Sequence, residues 1–454
     1  MRKGLENFLL AFLILLLPVS FKVFSYGIFL DGLTYASISR NMAEGVGTPF
    51  KPAYTLSFGN PSYGHLPLAF WIEALFFKIF GDIPLLERYI SISFGIMSLI
   101  LLAVWVHLLN GKVKWSWIIL LVAMPIFPWA ISNNILEVFI LFWTSLSLVF
   151  LTLAFKRGSV WAIFGGFFIF CSFMTKGPVG LFVLVYPFLY GFIYDKRFHK
   201  VFNVYTLVIL GFLIPFLALL MFKDFRVLLE HYFKGQIIAG VVGKRERAPE
   251  RWYIILRLIR ELMPILVLLI LRLYKSNNVV LSRNFWLYII LALSSSFPFL
   301  ISIKQIPFYI VPSLPFFALA FSELMKLDGF EKLFDKMKPR YKFALILTLT
   351  LLNILLAYNS YGKIRSKNPF YTDLVINPPS VEKIHRKVGI CPDNLFSDWE
   401  TVAIAQRYLK WTFVFGWQKY TLVDIERCKS IPANCKKIHP KNPKRFSLYK
   451  CNKR

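Results

Sequence analysis

The chain alternates long apolar runs with short polar connections from its start to Tyr358. A helix needs roughly 20 apolar residues to cross the hydrocarbon layer of a membrane, and the runs reach or approach that length. They predict about eleven spanning helices, and the first run is too long for a cleavable signal sequence. The predicted spans cover residues 8–26, 86–109, 115–128, 136–155, 161–173, 179–194, 201–222, 255–273, 285–301, 308–325 and 343–358.

Two regions depart from this pattern. Between the first and second spans, residues 31–44 and the stretch that begins at Pro67 place apolar residues at helical spacing, which predicts two interfacial helices. After Tyr358 the chain is polar and rich in lysine, with short alternating apolar runs. We therefore predict an all-α polytopic membrane domain at 1–358 and a small C-terminal α/β water-side domain at 359–454.

Composition agrees with a multi-pass membrane protein, because 57% of the residues are hydrophobic and only 17% are charged. The short basic connections fall on the side of the N-terminus, and such connections remain in the cytoplasm. An odd number of spans then predicts a cytoplasmic N-terminus and a periplasmic C-terminal domain in a bacterial inner membrane. Anionic membrane lipid accounts for the net charge of +29, so no nucleic-acid partner is expected.

One basic stretch, residues 223–251, falls on the external side, where orientation does not require Lys or Arg. An anionic ligand would account for it. Gly235, Gly240 and Gly243 favour a segment that orders when the ligand binds, as mobile lids do. The alternative is a solvated loop that binds anionic lipid headgroups nonspecifically.

Four of the five cysteines lie in the C-terminal region. They allow three pairings into two disulfides, which an oxidising compartment would favour, and free thiols remain the alternative. A zinc site is disfavoured because no Cys-x-x-Cys spacing occurs. The chain also has no Walker loop and no His-Glu-x-x-His helix, so the sequence gives no support for ATP-driven transport or zinc proteolysis.

Four motifs resemble one family. Residues 31–42 read DGLTYASISRNM, 64–71 read GHLPLAFW, 174–178 read MTKGP and 304–312 read KQIPFYIVP. In order and in topology they resemble the C-type integral-membrane glycosyltransferases, in the branch of the lipid A aminoarabinose transferases and protein O-mannosyltransferases. The resemblance covers roughly residues 1–325 and implies transfer of a sugar from a polyprenyl phosphate to an acceptor at the outer membrane face.

The resemblance implies that a carboxylate on the first external loop is the base, and Asp31 has that position. An attacking hydroxyl must lose its proton as it bonds to the anomeric carbon, so a nearby carboxylate can act as general base. The leaving phosphate needs cations instead, because negative charge gathers on its oxygens. The alternative for Asp31 is a helix N-cap.

Glu137 is the second predicted catalytic residue, because an ionisable group at the edge of an apolar helix is costly and often functional. The family commonly has Asp at about this place, so Glu is a departure, and a carboxylate that reaches to the surface is the alternative. No cofactor is certain. A divalent metal held jointly by Asp31 and Glu137 remains open.

Cations near the membrane provide the expected phosphate site. Lys176 lies in a short external turn and Lys304 in the connection 302–307, although both can instead be interfacial anchors. His65 stands where the family has Lys before paired prolines, of which only Pro67 is kept. The predicted donor-phosphate residues are Lys176, Arg245, Arg247, Arg251, Lys304 and Tyr309, and the further site candidates are Tyr35 and His65.

The expected activity is inverting transfer of a monosaccharide from undecaprenyl phosphate to lipid A or a related glycolipid. The basic external surface suits a phosphorylated lipid acceptor, and protein hydroxyls are the second choice. A transporter or flippase of lipid-linked sugars is the alternative from another class. Such transporters often contain two repeated halves, and the sequence shows no clear repeat. The identity of the sugar stays open.

Overall fold

The structure is a computed structural model that describes residues 2–112, 114–242, 250, 252–275, 281–381 and 385–452. Helices account for most of these residues. The α-helices are α1 Arg2–Ser20, α2 Leu30–Ala43, α3 Leu68–Phe80, α4 Leu86–Asn110, α5 Ser116–Val122, α6 Ile126–Ile131, α7 Leu136–Lys156, α8 Trp161–Lys176, α9 Tyr186–Tyr190, α10 Phe198–Leu220, α11 Lys223–Tyr232, α12 Ala239–Val242, α13 Tyr253–Lys275, α14 Arg283–Ser296, α15 Leu314–Leu324, α16 Asp328–Lys336, α17 Pro339–Ser360 and α18 Trp399–Leu409.

Shorter turns of other helix types join several of these elements. The 3₁₀ segments are Gly177–Val185, Phe297–Leu300, Pro307–Ser313 and Asp393–Ser397, and the π segments are Gly191–Asp195, Phe233–Ile238 and Tyr371–Val375. The strands are β1 Gly47–Thr48, β2 Lys51–Pro52, β3 Arg386–Cys391, β4 Trp411–Phe415, β5 Tyr420–Asp424, β6 Cys435–His439 and β7 Phe446–Cys451.

The chain forms two compact units. The first contains Met1–Lys22, Gly64–Ala69 and Ser91–Tyr358, and the second contains Val23–Tyr63, Phe70–Ile90 and Asn359–Arg454. These units are defined by contacts within the folded chain. The predicted domains at 1–358 and 359–454 are parts expected to fold independently, and that division stays a prediction.

Long apolar helices characterise the first unit. In the described part of the chain, six stretches are long and apolar enough to span a membrane: Leu86–Asn110, Leu136–Lys156, Trp161–Asp195, Phe198–Leu220, Pro307–Leu324 and Pro339–Ser360. The protein is therefore a multi-pass membrane protein. The number of about eleven spans stays a prediction. Predicted span 115–128 is divided between the short helices α5 and α6. Predicted span 285–301 overlaps α14, whose 14 residues are fewer than the roughly 20 that a crossing needs.

Contacts between α1 and α17 fix their relative direction. Near the start of both helices, Lys342 Nζ donates to Asn7 Oδ1 at 3.0 Å. Near their ends, Ser20 Oγ donates to Asn353 Oδ1 at 2.7 Å. The two helices thus run parallel, and both end on the same side of the unit. If both helices cross the membrane, parallel first and last crossings require an odd number in total, as the sequence predicts.

The second unit contains the C-terminal sheet. Its strand order is β4-β3-β5-β7-β6, with β3 parallel to β4 and β5, and β7 antiparallel to β5 and β6. Helix α18 links β3 to β4 and is buried from Thr401 to Leu409. Disulfides join Cys391 to Cys428 and Cys435 to Cys451. The predicted small C-terminal domain with a sheet is confirmed.

Helix α2 differs from the expected surface helix. Its residues Gly32, Leu33 and Tyr35–Asn41 are buried within the second unit, where it packs against α18. Helix α3 keeps the exposed apolar side chains expected of an interfacial helix, among them Leu75, Ile79 and Phe80. The sequence pattern alone did not distinguish these two helices.

Candidate functional site

Lys176 lies at the point where the chain reverses after α8. Gly177 ends that helix with φ of +70°, a backbone conformation that residues with a Cβ rarely adopt. The chain then turns back and packs closely on α8. A Cβ on Gly180 would lie only 2.6 Å from the backbone carbon of Ser172, so this position has no room for a side chain. Tyr232 closes the turn, and its hydroxyl donates to the carbonyl oxygen of Lys176 at 2.8 Å.

A buried ion pair holds the Lys176 side chain. Its ammonium contacts the carboxylate of Glu137, in the first turn of α7, and the two side chains are 7% and 1% exposed. The same ammonium lies 4.2 Å from the ring centroid of Tyr309 and 5.5 Å from that of Phe308. The quadrupole of an aromatic ring attracts a cation over its face, and the attraction is stronger where water is excluded. Lys176 is thus buried at this turn, and its predicted place on the external side of the membrane stays a prediction.

Lys304 lies in a loop that is tied to two other elements. The backbone N–H of Ile303 donates to the carbonyl of Gly240 at 3.0 Å. The buried Gln305 side chain accepts from the N–H of Ile254 at 2.8 Å, and it donates to the carbonyls of Phe299 and Ser302. These bonds fix the loop against α12 and the start of α13. No described residue forms an ion pair with Lys304.

Both lysines line one cavity of about 490 Å³ in the first unit. Its volume lies within the range of about 300–1,000 Å³ that is typical of ligand sites. The polar lining residues are His65, Lys176, Tyr232, Gln236, Ser294, Ser295, Ser302, Lys304 and Tyr309. The apolar lining residues include Val179, Leu181, Phe182, Ile237, Val241, Pro298, Phe299 and Ile301. Two ammonium groups beside an apolar wall suit an anionic group attached to a hydrocarbon chain.

The cavity contains four of the predicted site residues: His65, Lys176, Lys304 and Tyr309. Glu137 joins them through Lys176. Asp31 and Tyr35 belong to the second unit. Asp31 is half-buried in the first turn of α2, which Phe29 caps without a side-chain hydrogen bond, and Tyr35 packs on Phe70. The predicted residues Arg245, Arg247 and Arg251 lie outside the described residues.

Metal ligation was left open by the sequence. Among the described residues, no group of three or more His, Cys, Asp or Glu side chains is arranged to hold a metal ion. Joint ligation of a divalent ion by Asp31 and Glu137 stays open.

Known structures share this architecture. Apo ArnT from Cupriavidus metallidurans matches with a TM-score of 0.64 over 99% of this chain and 98% of that chain, at 14% sequence identity. ArnT bound to undecaprenyl phosphate matches with a TM-score of 0.61 over 97% and 96% of the two chains, at 12% identity. The chain has the fold of the C-type membrane glycosyltransferases. The resemblance seen in the four sequence motifs is therefore confirmed for the fold.

Other comparisons with known proteins add little to this C-type glycosyltransferase fold. The archaeal oligosaccharyltransferase AglB from Archaeoglobus fulgidus matches with a TM-score of 0.46 over 92% of this chain and 69% of that chain, at 13% identity, which is too low to support an inference. No family model matches the chain, and no curated protein matches it in sequence.

Several residues that line the cavity or support its lining residues were not predicted. Tyr232 supports the Lys176 turn, Phe308 lies under the Lys176 ammonium, and Gln305 fixes the Lys304 loop. Phe308 and Gln305 lie within the fourth motif, so their neighbours Lys304 and Tyr309 were an available signal. Tyr232 is an aromatic residue in an amphipathic helix, and no spacing rule marks it.

Proposed function

We propose that this protein transfers a monosaccharide from a polyprenyl phosphate donor, such as an undecaprenyl phosphate sugar, to an acceptor at the outer membrane face. The observation that carries the proposal is the convergence of Lys176 and Lys304 on one cavity with an apolar wall. The donor combines the same two chemistries, because it joins a phosphate to a long hydrocarbon chain. The solved ArnT structure with undecaprenyl phosphate supports this choice of donor.

In the proposed mechanism the lysines hold the donor phosphate. The acceptor hydroxyl oxygen attacks the anomeric carbon and forms the new glycosidic bond, while the bond from that carbon to the phosphate oxygen breaks. The bonding electrons leave on the phosphate oxygen, where ammonium groups stabilise the added charge. The hydroxyl proton passes to Asp31 as general base. Attack on the face opposite the leaving group inverts the anomeric centre.

Glu137 has a separate part in this proposal. Its carboxylate holds the Lys176 ammonium beside the Tyr309 ring before any donor arrives. A cation fixed in advance loses little entropy when it meets the phosphate, and such preorganisation favours the charged transition state. Arg245, Arg247 and Arg251 belong to the proposed phosphate-binding set on the basis of the sequence.

The proposed acceptor is lipid A or a related glycolipid, with protein hydroxyls as the alternative. The proposed location is the bacterial inner membrane, with the N-terminus in the cytoplasm and the C-terminal domain in the periplasm. The two disulfides support an oxidising compartment for that domain. The parallel α1 and α17 support an odd number of crossings.

The test uses the purified full chain with an undecaprenyl phosphate donor that carries a radiolabelled sugar. Asp31→Asn should abolish transfer and leave donor binding unchanged, because the amide cannot accept the proton. Lys304→Met should weaken donor binding about tenfold, as expected for the loss of one charge-assisted contact of about 1.5 kcal/mol.

Lys419→Met is the matched control, because that lysine is exposed and belongs to the second unit, outside the cavity. It should bind donor as the wild type does. Full transfer by Asp31→Asn would exclude the proposed base. Donor movement across vesicles without any glycosylated product would favour the transporter instead, and lipid mass spectrometry of cells with and without the protein would identify the product.

A further inference from the structure

One end of the C-terminal sheet carries a row of cations. Lys450 in β7 lies directly opposite Lys436 in β6 and directly opposite Tyr420 in β5. Residues paired in this way point to the same face of a sheet, with Cβ atoms about 4.5–5.5 Å apart. Arg386 in β3 lies beside them, because its guanidinium carbon is 5.2 Å from the ring centroid of Tyr420. Arg386, Lys450 and Lys436 therefore form one cation row, which crosses the sheet from β3 to β6.

The pairing of Lys436 with Lys450 is unfavourable for the fold, because like charges directly opposite each other destabilise a pair of strands. At the other end of β7 a carboxylate meets the cation, since Arg445 pairs with Asp424 at 2.7 Å. Among the residues that the structure describes, no carboxylate forms an ion pair with Lys436 or Lys450. Both lysines are exposed. The sheet therefore presents two adjacent positive charges to its surroundings.

Protection of a sheet edge explains one of these lysines and not the other. Strand β6 is an edge strand, where a lysine hinders pairing with another chain. Strand β7 lies between β5 and β6, so Lys450 has no edge to protect. Lys437 points to the opposite face, because successive side chains of a strand alternate, and its ammonium donates to the carbonyl of Lys441 at 2.8 Å. The two lysines that share a face need another explanation.

The backbone beneath the two lysines is fixed. A disulfide joins Cys435 to Cys451, the cross-strand pair next to theirs. One residue further along, the N–H of Asn452 donates to the carbonyl of Asn434 at 3.1 Å, and the Asn434 side chain donates to the Asn452 carbonyl at 2.8 Å. A surface that is fixed before a ligand arrives loses less entropy on binding. This end of the sheet is thus preorganised.

We propose that the cation row binds a phosphate monoester, with the phosphate over Lys450 and between Lys436 and Arg386. A phosphate monoester carries a charge of about −1.5 to −2 at neutral pH and three acceptor oxygens, which suits three neighbouring cations better than a singly charged phosphodiester or carboxylate does. Hydrogen bonds from Lys and Arg to phosphate are among the strong ones. None of the three residues lines the donor cavity, so this site is additional to the proposed sugar transfer and does not rest on it.

Lysine acetylation followed by mass spectrometry measures occupancy residue by residue. The full chain in phosphatidylcholine nanodiscs is treated with a limiting amount of acetic anhydride, with and without glucose 6-phosphate, and sodium chloride keeps the ionic strength equal. At a ligand concentration about ten times the Kd, acetylation of Lys436 and Lys450 should slow about tenfold. Lys437 is the internal reference, because it is exposed and adjacent in sequence but lies on the opposite face. Equal protection of Lys437 would overturn the proposal.

Lipid headgroups and soluble sugars can both supply a phosphate monoester, and two further preparations distinguish these sources. One contains phosphatidic acid, a lipid phosphate monoester, and the other contains phosphatidylglycerol, a phosphodiester. Protection of Lys436 and Lys450 by phosphatidic acid supports the proposal with a lipid ligand, and protection by glucose 6-phosphate alone supports it with a soluble one. Equal protection by phosphatidylglycerol and phosphatidic acid indicates a general anionic surface and overturns it. Protection by neither monoester overturns it too.

Variants connect the charges of the cation row to binding. Lys450→Gln should raise about tenfold the concentration of the phosphate monoester that protects Lys436, because the phosphate loses its central charge-assisted contact. Lys450→Arg keeps the charge and should retain the protection, and Lys437→Gln is the matched control and should retain it as well. Undiminished protection of Lys436 in Lys450→Gln would overturn the proposal.

The donor cavity provides the last comparison. Lys304→Met changes the donor cavity and should leave the protection of Lys436 and Lys450 as it is in the wild type. Loss of that protection in Lys304→Met would mean that the cation row is not a separate site and would overturn the proposal. Absence of sugar transfer by the wild type would refute the proposed function instead, and the acetylation result would still stand.

Discussion

Glu137 and Lys176 form an ion pair that joins the first turn of α7 to the last turn of α8. Each charge lies at the helix end whose dipole favours it, because a helix N-terminus stabilises anions and a C-terminus stabilises cations. Both side chains are almost fully buried. The ammonium is thus held from one side by a carboxylate and from another by the Tyr309 ring.

We expect Glu137→Gln to lower the free energy of unfolding by about 3–5 kcal/mol, because it leaves the Lys176 charge buried without its partner. Thermal unfolding of the purified protein measures the change. Glu230→Gln is the control, since it breaks an exposed pair with Lys234 and should leave the stability nearly unchanged. The double variant Glu137→Gln with Lys176→Met should be more stable than Glu137→Gln alone. If Glu137→Gln and Glu230→Gln were equally stable, the argument from burial would be contradicted.

Gln305 should influence donor affinity although Lys304 carries the charge. Gln305→Leu removes the partner of the Ile254 N–H and of two carbonyls, so the loop that presents Lys304 loses its attachment to α13. We expect the donor KM to rise about tenfold or more, since each unsatisfied buried polar group costs about 1–3 kcal/mol. Gln305→Glu keeps the acceptor for Ile254 and should retain part of the affinity. Gln418→Leu, outside the first unit, is the control and should change nothing.

Arg40 anchors the helix that carries Asp31. Its guanidinium is fully buried and donates to the carbonyls of Gln406 and Arg407 at 2.9 and 2.8 Å, at the end of α18. Burial lowers the pKa of Arg40 to about 10, so it stays charged at neutral pH. Arg40→Gln should destabilise the protein by about 2–4 kcal/mol. It should also lower kcat while it changes the donor KM little, because α2, which carries Asp31, loses its position.

Arg427→Gln provides the comparison for Arg40→Gln. Arg427 is 56% exposed and forms a long ion pair with Asp424, so its loss should cost no more than about 1 kcal/mol. If Arg40→Gln unfolds at the same temperature as Arg427→Gln, the carbonyl contacts of Arg40 do not stabilise α2.

The class of fold was readable from the sequence, because apolar runs of membrane length rarely occur outside membrane-spanning helices. The burial of α2 was not. Ser39, Arg40 and Asn41 form a short polar stretch in the sequence, which favours exposure. They are buried because carbonyl and carboxylate groups elsewhere in the second unit satisfy them. Such partners come from distant parts of the chain, and helical spacing has no information about them.

The cavity was readable only in part. The motifs predicted Lys176, Lys304, Tyr309 and His65, and these residues do line one cavity. The role of Lys176, Lys304 and Tyr309 in phosphate binding stays a prediction, as do the parts of His65 and Asp31 in the site. Lys176 is buried because Glu137 and the aromatic rings compensate the cost of removing its charge from water. That compensation depends on tertiary contacts, which no local pattern encodes.

The stability of the second unit should depend on acid pH through Glu44. Burial raises the pKa of Glu44. Hydrogen bonds from His385 and Lys410 and the charge of Arg40 lower it by more, so the net effect is a pKa of about 2 instead of the ordinary 4.5. The unfolded chain therefore binds the proton more readily between these values, and stability should fall as the pH drops from 4.5 towards 2. Melting temperature against pH measures this. Glu44→Gln should flatten the dependence, and Glu426→Gln, at an exposed site, should retain it.

Alkylation before and after reduction tests where the cysteines of the C-terminal sheet reside. Protein isolated from cells in the presence of an alkylating reagent should be modified at Cys391, Cys428, Cys435 and Cys451 only after reduction, because an oxidising compartment keeps them paired. Cys171 is buried in α8 and serves as the internal reference, since denaturation alone should expose it to the reagent. Modification of the other four without reduction would place them in a reducing compartment and contradict the proposed periplasmic location of the C-terminal domain.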